Sequence, residues 1–146
     1  MKKVFFILPV LILFTLSCRS TQKTQTVKKA PEFQFTKDVK WVMTSFHGKA
    51  PAEAGFKQKT PYVVIDKEAG SISGNSGCNS FSGKAEISDN SLKAERIAST
   101  KAFCMGVPEN EFFTDLSEMS SYRIEGDKLL FLKGDDVLME FKAQKK

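Results

Sequence analysis

Residues 122–142 consist of three short apolar runs divided by two turn signals, in the order Tyr-Arg-Ile-Glu-Gly-Asp-Lys-Leu-Leu-Phe-Leu-Lys-Gly-Asp-Asp-Val-Leu-Met-Glu-Phe-Lys. The two dividers, Gly126-Asp127 and Gly134-Asp135-Asp136, are residue types that favour tight turns. In the last run apolar residues recur at positions 137, 139 and 141, which is the period of a strand that buries its odd positions. The stretch therefore predicts an antiparallel meander of three strands.

The same pattern extends upstream through most of the chain. A β-branched run lies at 62–66, further short runs lie at 81–87 and 92–97, and turn-forming residues stand between them. Short strands at this spacing are typical of an antiparallel sheet or barrel. The predicted fold class is mainly β, as a small antiparallel β-barrel or meander with one α-helix.

The helix is predicted after Pro108, a residue that is tolerated in the first turn of a helix. Acidic residues follow within three positions, where they favour the positive end of the helix dipole. Phe112, Leu116 and Met119 then recur at i, i+4 and i+7, so that they share one helical face. We expect this face to pack on the sheet or to cover one end of a barrel.

The N-terminus has the pattern of an export signal. Lys2 and Lys3 precede an apolar run from Val4 to Leu16, which is too short to span a bilayer. The run ends at Cys18, and residues 15–18 resemble the lipobox of bacterial lipoproteins, in which the cysteine is lipidated. We therefore predict a signal peptide over residues 1–17 and lipidation of Cys18. An ordinary cleaved signal that ends near a cysteine is the alternative.

Residues 18–37 are predicted to form the lipidated N-terminus and a flexible tether, because their polar composition cannot bury enough surface to fold. Residues 38–146 are predicted to form one domain. Residues 1–30 hold six of the 22 basic residues and no acid, so residues 31–146 hold 16 bases against 17 acids. A nucleic-acid-binding domain is not expected from this balance. The partners expected are the membrane, through the lipid anchor, and an unidentified envelope protein.

Glycines cluster in the segment 74–83. They permit positive φ angles and close backbone approach, which suits a bulged or tightly turned stretch. A phosphate-binding loop is disfavoured, because five residues separate Gly77 from Gly83 where that motif has four, and Ala85 stands where it needs Ser or Thr. Ser76 lacks the second glycine of a nucleophile elbow.

Catalytic and metal-binding side chains are scarce. His47 is the single histidine, and it could pair with the thiol of Cys78 or Cys104 in a hydrolase. A lone histidine beside a turn is more often a surface group or a satisfied hydrogen-bonding group. We therefore predict no catalytic residues, no metal site and no cofactor.

A series of motifs runs through most of the folded region. Trp41 lies in the first strand, Gly-Cys-Asn-x-Phe-x-Gly begins at Gly77, and Thr-x-x-x-Cys begins at Thr100. Together with the acidic and aromatic helix, this series resembles the META domain, the family of the heat-shock-inducible envelope protein HslJ. The resemblance implies a small antiparallel barrel with a helix and implies no enzyme activity. The motif residues are Trp41, Gly77, Asn79, Phe81, Gly83 and Thr100.

Cys78 and Cys104 are an even pair in a protein expected to be exported, so a disulfide between them is expected. Two reduced, buried cysteines are the alternative. The expected function is that of a non-catalytic lipoprotein of the bacterial cell envelope, in the periplasm or at the outer membrane, which acts as a binding module in stress or maintenance. A carrier of a small apolar ligand inside the barrel is the first alternative. A thiol or serine hydrolase is the second.

Overall fold

The computed structural model describes residues 35–145, and the predicted signal peptide and the lipidation site Cys18 lie outside the described residues. Within these residues, eight antiparallel strands form one sheet, and one helix lies between the fifth and sixth strands. The elements are β1 Val39–Phe46, β2 Tyr62–Asp66, β3 Ser71–Asn75, β4 Ser80–Ile87, β5 Leu92–Ser99, α1 Glu109–Glu118, β6 Ser121–Glu125, β7 Lys128–Lys133 and β8 Asp136–Lys145.

The sheet is curled into a half-barrel. Its strand order is β5-β4-β3-β2-β1-β8-β7-β6, so all consecutive strands are neighbours except β5 and β6, and β1 pairs with β8. The mainly β class with one helix, predicted from the sequence, is confirmed. Within residues 35–145 no ladder joins the edge strands β5 and β6, so the barrel is open there. Instead, Tyr122 donates its backbone N–H to Asn90 O in the turn before β5, at 3.0 Å.

Strand β8 departs from strict alternation. Met139 and Phe141 are fully buried as predicted, but Val137 is only half-buried and Leu138 is buried. The ladder with β7 pairs Phe131 with Met139 and Leu132 with Val137, so Leu138 is an extra residue at a bulge. Because a bulge shifts the register by one residue, the buried face changes there.

Large side chains fill the interior. Four fully buried aromatic side chains come from different elements: Trp41 on β1, Phe131 on β7, Phe141 on β8 and Phe112 on α1. The helix buries the face predicted for it, because Leu116 has no exposed surface and Met119, just beyond the helix end, is 3 % exposed. This filling gives no support to a ligand held inside the barrel.

Phe35, in the segment that the sequence assigns to the tether, is packed into the domain. Its ring lies 6.2 Å from the Trp41 ring and 5.0 Å from the Tyr122 ring, measured between centroids. Lys67, in the turn between β2 and β3, donates its N–H to Phe35 O at 2.9 Å. Residues 35–37 therefore belong to the folded domain.

Candidate functional site

Three loops meet at one end of the half-barrel. They are the β1–β2 connection at 47–61, the β3–β4 turn at 76–79 and the β5–α1 connection at 100–108, which we call the stapled loop. Because the strands are antiparallel, these alternate connections lie at the same end of the sheet. The turn between β2 and β3, with the start of β1, lies at the opposite end.

Asn79 is the centre of a hydrogen-bond network at this end. Its side-chain oxygen accepts from the Thr100 hydroxyl at 2.7 Å and from the Ala102 N–H at 2.8 Å. Its side-chain nitrogen donates to Ala102 O at 2.9 Å and to Glu109 Oε2 at 2.8 Å. Asn79 is 2 % exposed, so these bonds satisfy a buried amide whose unpaired groups would be costly. The motif residues Asn79 and Thr100 thus hold the stapled loop in place.

Glu109 is a member of this network that the sequence did not single out as a site residue. Its carboxylate accepts from the Asn79 N–H at 3.1 Å and also contacts the Ser76 hydroxyl. The sequence signal was an acid directly after Pro108, which we interpreted only as a favourable charge in the first helical turn. The spacing of residues in the sequence does not indicate that Glu109 contacts the β3–β4 turn, 30 residues earlier.

Cys78 and Cys104 form a disulfide, with their Cα atoms 5.8 Å apart. The predicted bridge is therefore present, and it fixes the stapled loop to the turn between β3 and β4. Both sulfur atoms are used in the bond. The hydrolase considered from the sequence, in which His47 pairs with the thiol of Cys78 or Cys104, therefore lacks a free thiol at either of these positions.

The two motif glycines occupy positions where a side chain would clash. Gly77 has φ of +92°, and a Cβ there would lie 2.5 Å from Phe56 Cδ1. Gly83 lies opposite a register shift in β5, where a Cβ would approach Glu95 O to 2.7 Å. Glycine tolerates the positive φ at Gly77 and the close approach of neighbouring atoms at both positions.

The remaining motif residues are structural. Trp41 and Phe81 are buried in the core, at 0 % and 4 % exposure. Ser76, the nucleophile considered from the sequence, has no exposed surface, and its hydroxyl accepts the Asn79 N–H at 3.0 Å. The motif thus brings its residues together as a scaffold for the stapled loop.

The tip of the stapled loop exposes two large apolar side chains. Phe103 is 88 % exposed and Met105 is 81 % exposed, on either side of the disulfide-bonded Cys104. A shallow open cleft of about 340 Å³ lies between this loop and the start of α1, and Phe103, Val107 and Asn110 are among its lining residues. Exposed apolar side chains on a fixed loop are typical of interaction sites.

His47 forms a second polar cluster, with α1. Its Nε2 lies 2.7 Å from Asp115 Oδ2 and 3.7 Å from Glu111 Oε1. His47 has a φ of +47° and donates its N–H to Leu138 O at the β8 bulge, at 2.9 Å. Burial raises the pKa of Asp115, and the hydrogen bond with His47 opposes that rise.

The His47–Asp115 pair lines an open cleft of about 490 Å³, to which Lys133 also contributes. Among the described residues, no group of three or more His, Cys, Asp or Glu side chains could hold a metal ion. The contact between His47 and Asp115 links the end of β1 to α1. Over residues 35–145 no helix combines the length and the apolar character needed to cross a bilayer.

Comparisons with known proteins place this fold among characterised structures. The chain is similar to a protein solved by NMR, at 22 % identity with a TM-score of 0.57, over 73 % of this chain and 90 % of that one. It is also similar to an NMR structure of a protein from Burkholderia xenovorans, at 17 % identity with a TM-score of 0.56, over 77 % and 85 % of the two chains.

A third similar structure is the crystal structure of a DUF4847 family protein from Bacteroides vulgatus, at 17 % identity with a TM-score of 0.53, over 77 % of this chain and 96 % of that one. These likenesses establish the shared fold. No curated protein matches the chain. The META domain family profile matches residues 32–146, which include every described strand and the helix. The chain belongs to the META domain family.

Proposed function

We propose that this protein is a non-catalytic binding module of the bacterial cell envelope, anchored by Cys18 and acting in envelope stress or maintenance through its stapled loop. The observation that carries the proposal is the exposure of Phe103 and Met105 on a loop that is fixed at both ends. The disulfide and the Asn79 network hold the loop in place. A surface that is already ordered loses little conformational entropy on binding.

The lipid anchor in this proposal is supported by the sequence alone. Residues 15–18 resemble a lipobox, and a polar segment separates Cys18 from Phe35. Replacing Cys18 with Ser should move the protein from the membrane fraction to the soluble fraction of exported proteins. If the variant stays in the membrane fraction, and if neither form carries acyl chains by mass spectrometry, the anchor is wrong.

Binding through the stapled loop can be tested in intact cells with a photocrosslinking amino acid at position 105. The matched control carries the same amino acid at Ala69, an exposed position in the β2–β3 turn at the opposite end of the sheet. We expect crosslinked products at position 105 that are absent at position 69 and that are lost when both disulfide cysteines are replaced with Ala. Equal products at both positions, or none at position 105, would contradict the proposal.

A further inference from the structure

The surroundings of the stapled loop are basic. The β1–β2 loop lies directly beside the stapled loop. Gly55 and Gly106 are so close that a Cβ on Gly55 would lie 2.9 Å from Gly106 O. Segments 54–65 and 97–108 contain no acid, and they expose Lys57, Lys59 and Lys101. The exposed apolar tip therefore adjoins three cations.

Two of the acids at this end of the sheet contact neighbouring side chains. Glu109 is bonded to Asn79 and Ser76 beneath the loop, and Glu111 lies beside His47. Glu53 is exposed in the β1–β2 loop, outside the acid-free segment. Two apolar side chains next to exposed lysines have the composition of a surface that enters the headgroup region of a bilayer with anionic lipids.

The tether allows the stapled loop to reach the membrane that holds Cys18. The described chain begins at Phe35, which bonds to Lys67 at the end of the sheet opposite the loop. An eight-residue strand spans about 26 Å, and the 16 residues between Cys18 and Phe35 can extend to about 50 Å. The domain can therefore lie along the bilayer with the loop in contact. Because the anchor keeps the surface close, even weak insertion would be populated.

We propose that the stapled loop docks on the surface of an anionic bilayer, with Phe103 and Met105 in the interfacial region and Lys57, Lys59 and Lys101 against lipid phosphates. This inference rests on the proposed function and names the partner as the lipid surface. A fluid interface accepts projecting side chains without a matching pocket. The disulfide holds Phe103 and Met105 on either side of Cys104, which keeps the apolar tip projecting.

The test uses the full chain, purified from membranes and reconstituted into vesicles of phosphatidylcholine with or without phosphatidylglycerol. Phe103→Trp places a fluorescent reporter of insertion at the loop tip, and Ala69→Trp places the matched reporter at the opposite end of the sheet. Trp41 is buried and contributes equally to the fluorescence of both variants. We expect brominated acyl chains to quench the reporter at 103 severalfold more strongly than that at 69. The difference should require phosphatidylglycerol, and Lys59→Glu with Lys101→Glu should remove it.

Equal quenching at the two positions in anionic vesicles would overturn the lipid inference. If Phe103→Trp fails to fold, Met105→Trp provides the same measurement. A protein crosslinked from position 105 in cells, combined with equal quenching in vesicles, would retain the proposed binding function and reject the bilayer as its partner. The two proposals can therefore fail separately.

Discussion

Asn79 and Glu109 are joined by two hydrogen bonds across 30 residues of sequence, one from the Asn79 N–H at 3.1 Å and one from its side-chain amide at 2.8 Å. One residue precedes β4 and the other begins α1. The contact closes the chain segment that contains the stapled loop, in parallel with the disulfide. Two different kinds of link, one covalent and one polar, thus fix the same exposed apolar tip.

Replacing Asn79 with Ala should lower the free energy of unfolding by about 2–4 kcal/mol, because it leaves several buried donors and acceptors without partners. Urea denaturation measures the change. Asn110→Ala is the matched control, since Asn110 is exposed on α1, and its effect should stay within about 0.5 kcal/mol. Similar stabilities of the two variants would show that the Asn79 network does not stabilise the fold.

The disulfide should contribute about 3.5 kcal/mol to stability, because it closes a loop of 26 residues in the unfolded chain. The double replacement Cys78→Ala and Cys104→Ala should lower the denaturation midpoint accordingly. Intact-mass analysis after alkylation, with and without prior reduction, checks the bond directly. Two alkylated thiols in the native, non-reduced protein would contradict the bridge.

The sequence predicted the strands and the helix because those elements depend on local patterns. Apolar runs between turn residues located β6, β7 and β8, and the spacing of Phe112 and Leu116 located α1. The disulfide was also predicted, on the expectations that the protein is exported and that lipidation removes Cys18 from the pairing. Each of these predictions used either residues that lie close together in the chain or, for the disulfide, two cysteines that remain once Cys18 is set aside.

Long-range relationships were not predictable in the same way. The β8 bulge at Leu138 depends on pairing with β7, and the open edge depends on which strands pair across the whole sheet. The partner of His47 is Asp115, 68 residues later on a helix whose buried face was predicted from apolar residues only. The exposure of Phe103 was not predictable either, because a phenylalanine is more often buried in the core than exposed.

Replacing Leu116 with Ala should cost about 2–5 kcal/mol, since the side chain is fully buried between α1 and the sheet. Thermal or urea denaturation measures the loss. Ser117→Ala, one position further on the exposed side of the helix, is the control and should have a small effect. A loss below about 0.5 kcal/mol for Leu116→Ala would mean that the helix does not cover the core.

The link between His47 and Asp115 should make the stability of the protein depend on pH. Burial raises the folded-state pKa of Asp115 above its ordinary value of 3.8, so the contribution of this carboxyl group to stability falls as the pH rises through the folded pKa. The hydrogen bond with His47 opposes the rise in pKa and so limits that loss. Removing His47 should therefore destabilise the protein at neutral pH and have little effect when Asp115 is protonated.

His47→Asn is the suitable variant, because asparagine tolerates the positive φ of this position better than most residues. We expect it to cost about 1–3 kcal/mol near pH 7, where it leaves a buried carboxylate without its partner. The difference from the wild type should shrink towards pH 4, measured by urea denaturation across the range. In an Asp115→Asn background the same substitution should have little effect at any pH, since the coupled group is absent. A pH-independent cost of His47→Asn would show that the residue acts through the backbone at the β8 bulge and not through Asp115.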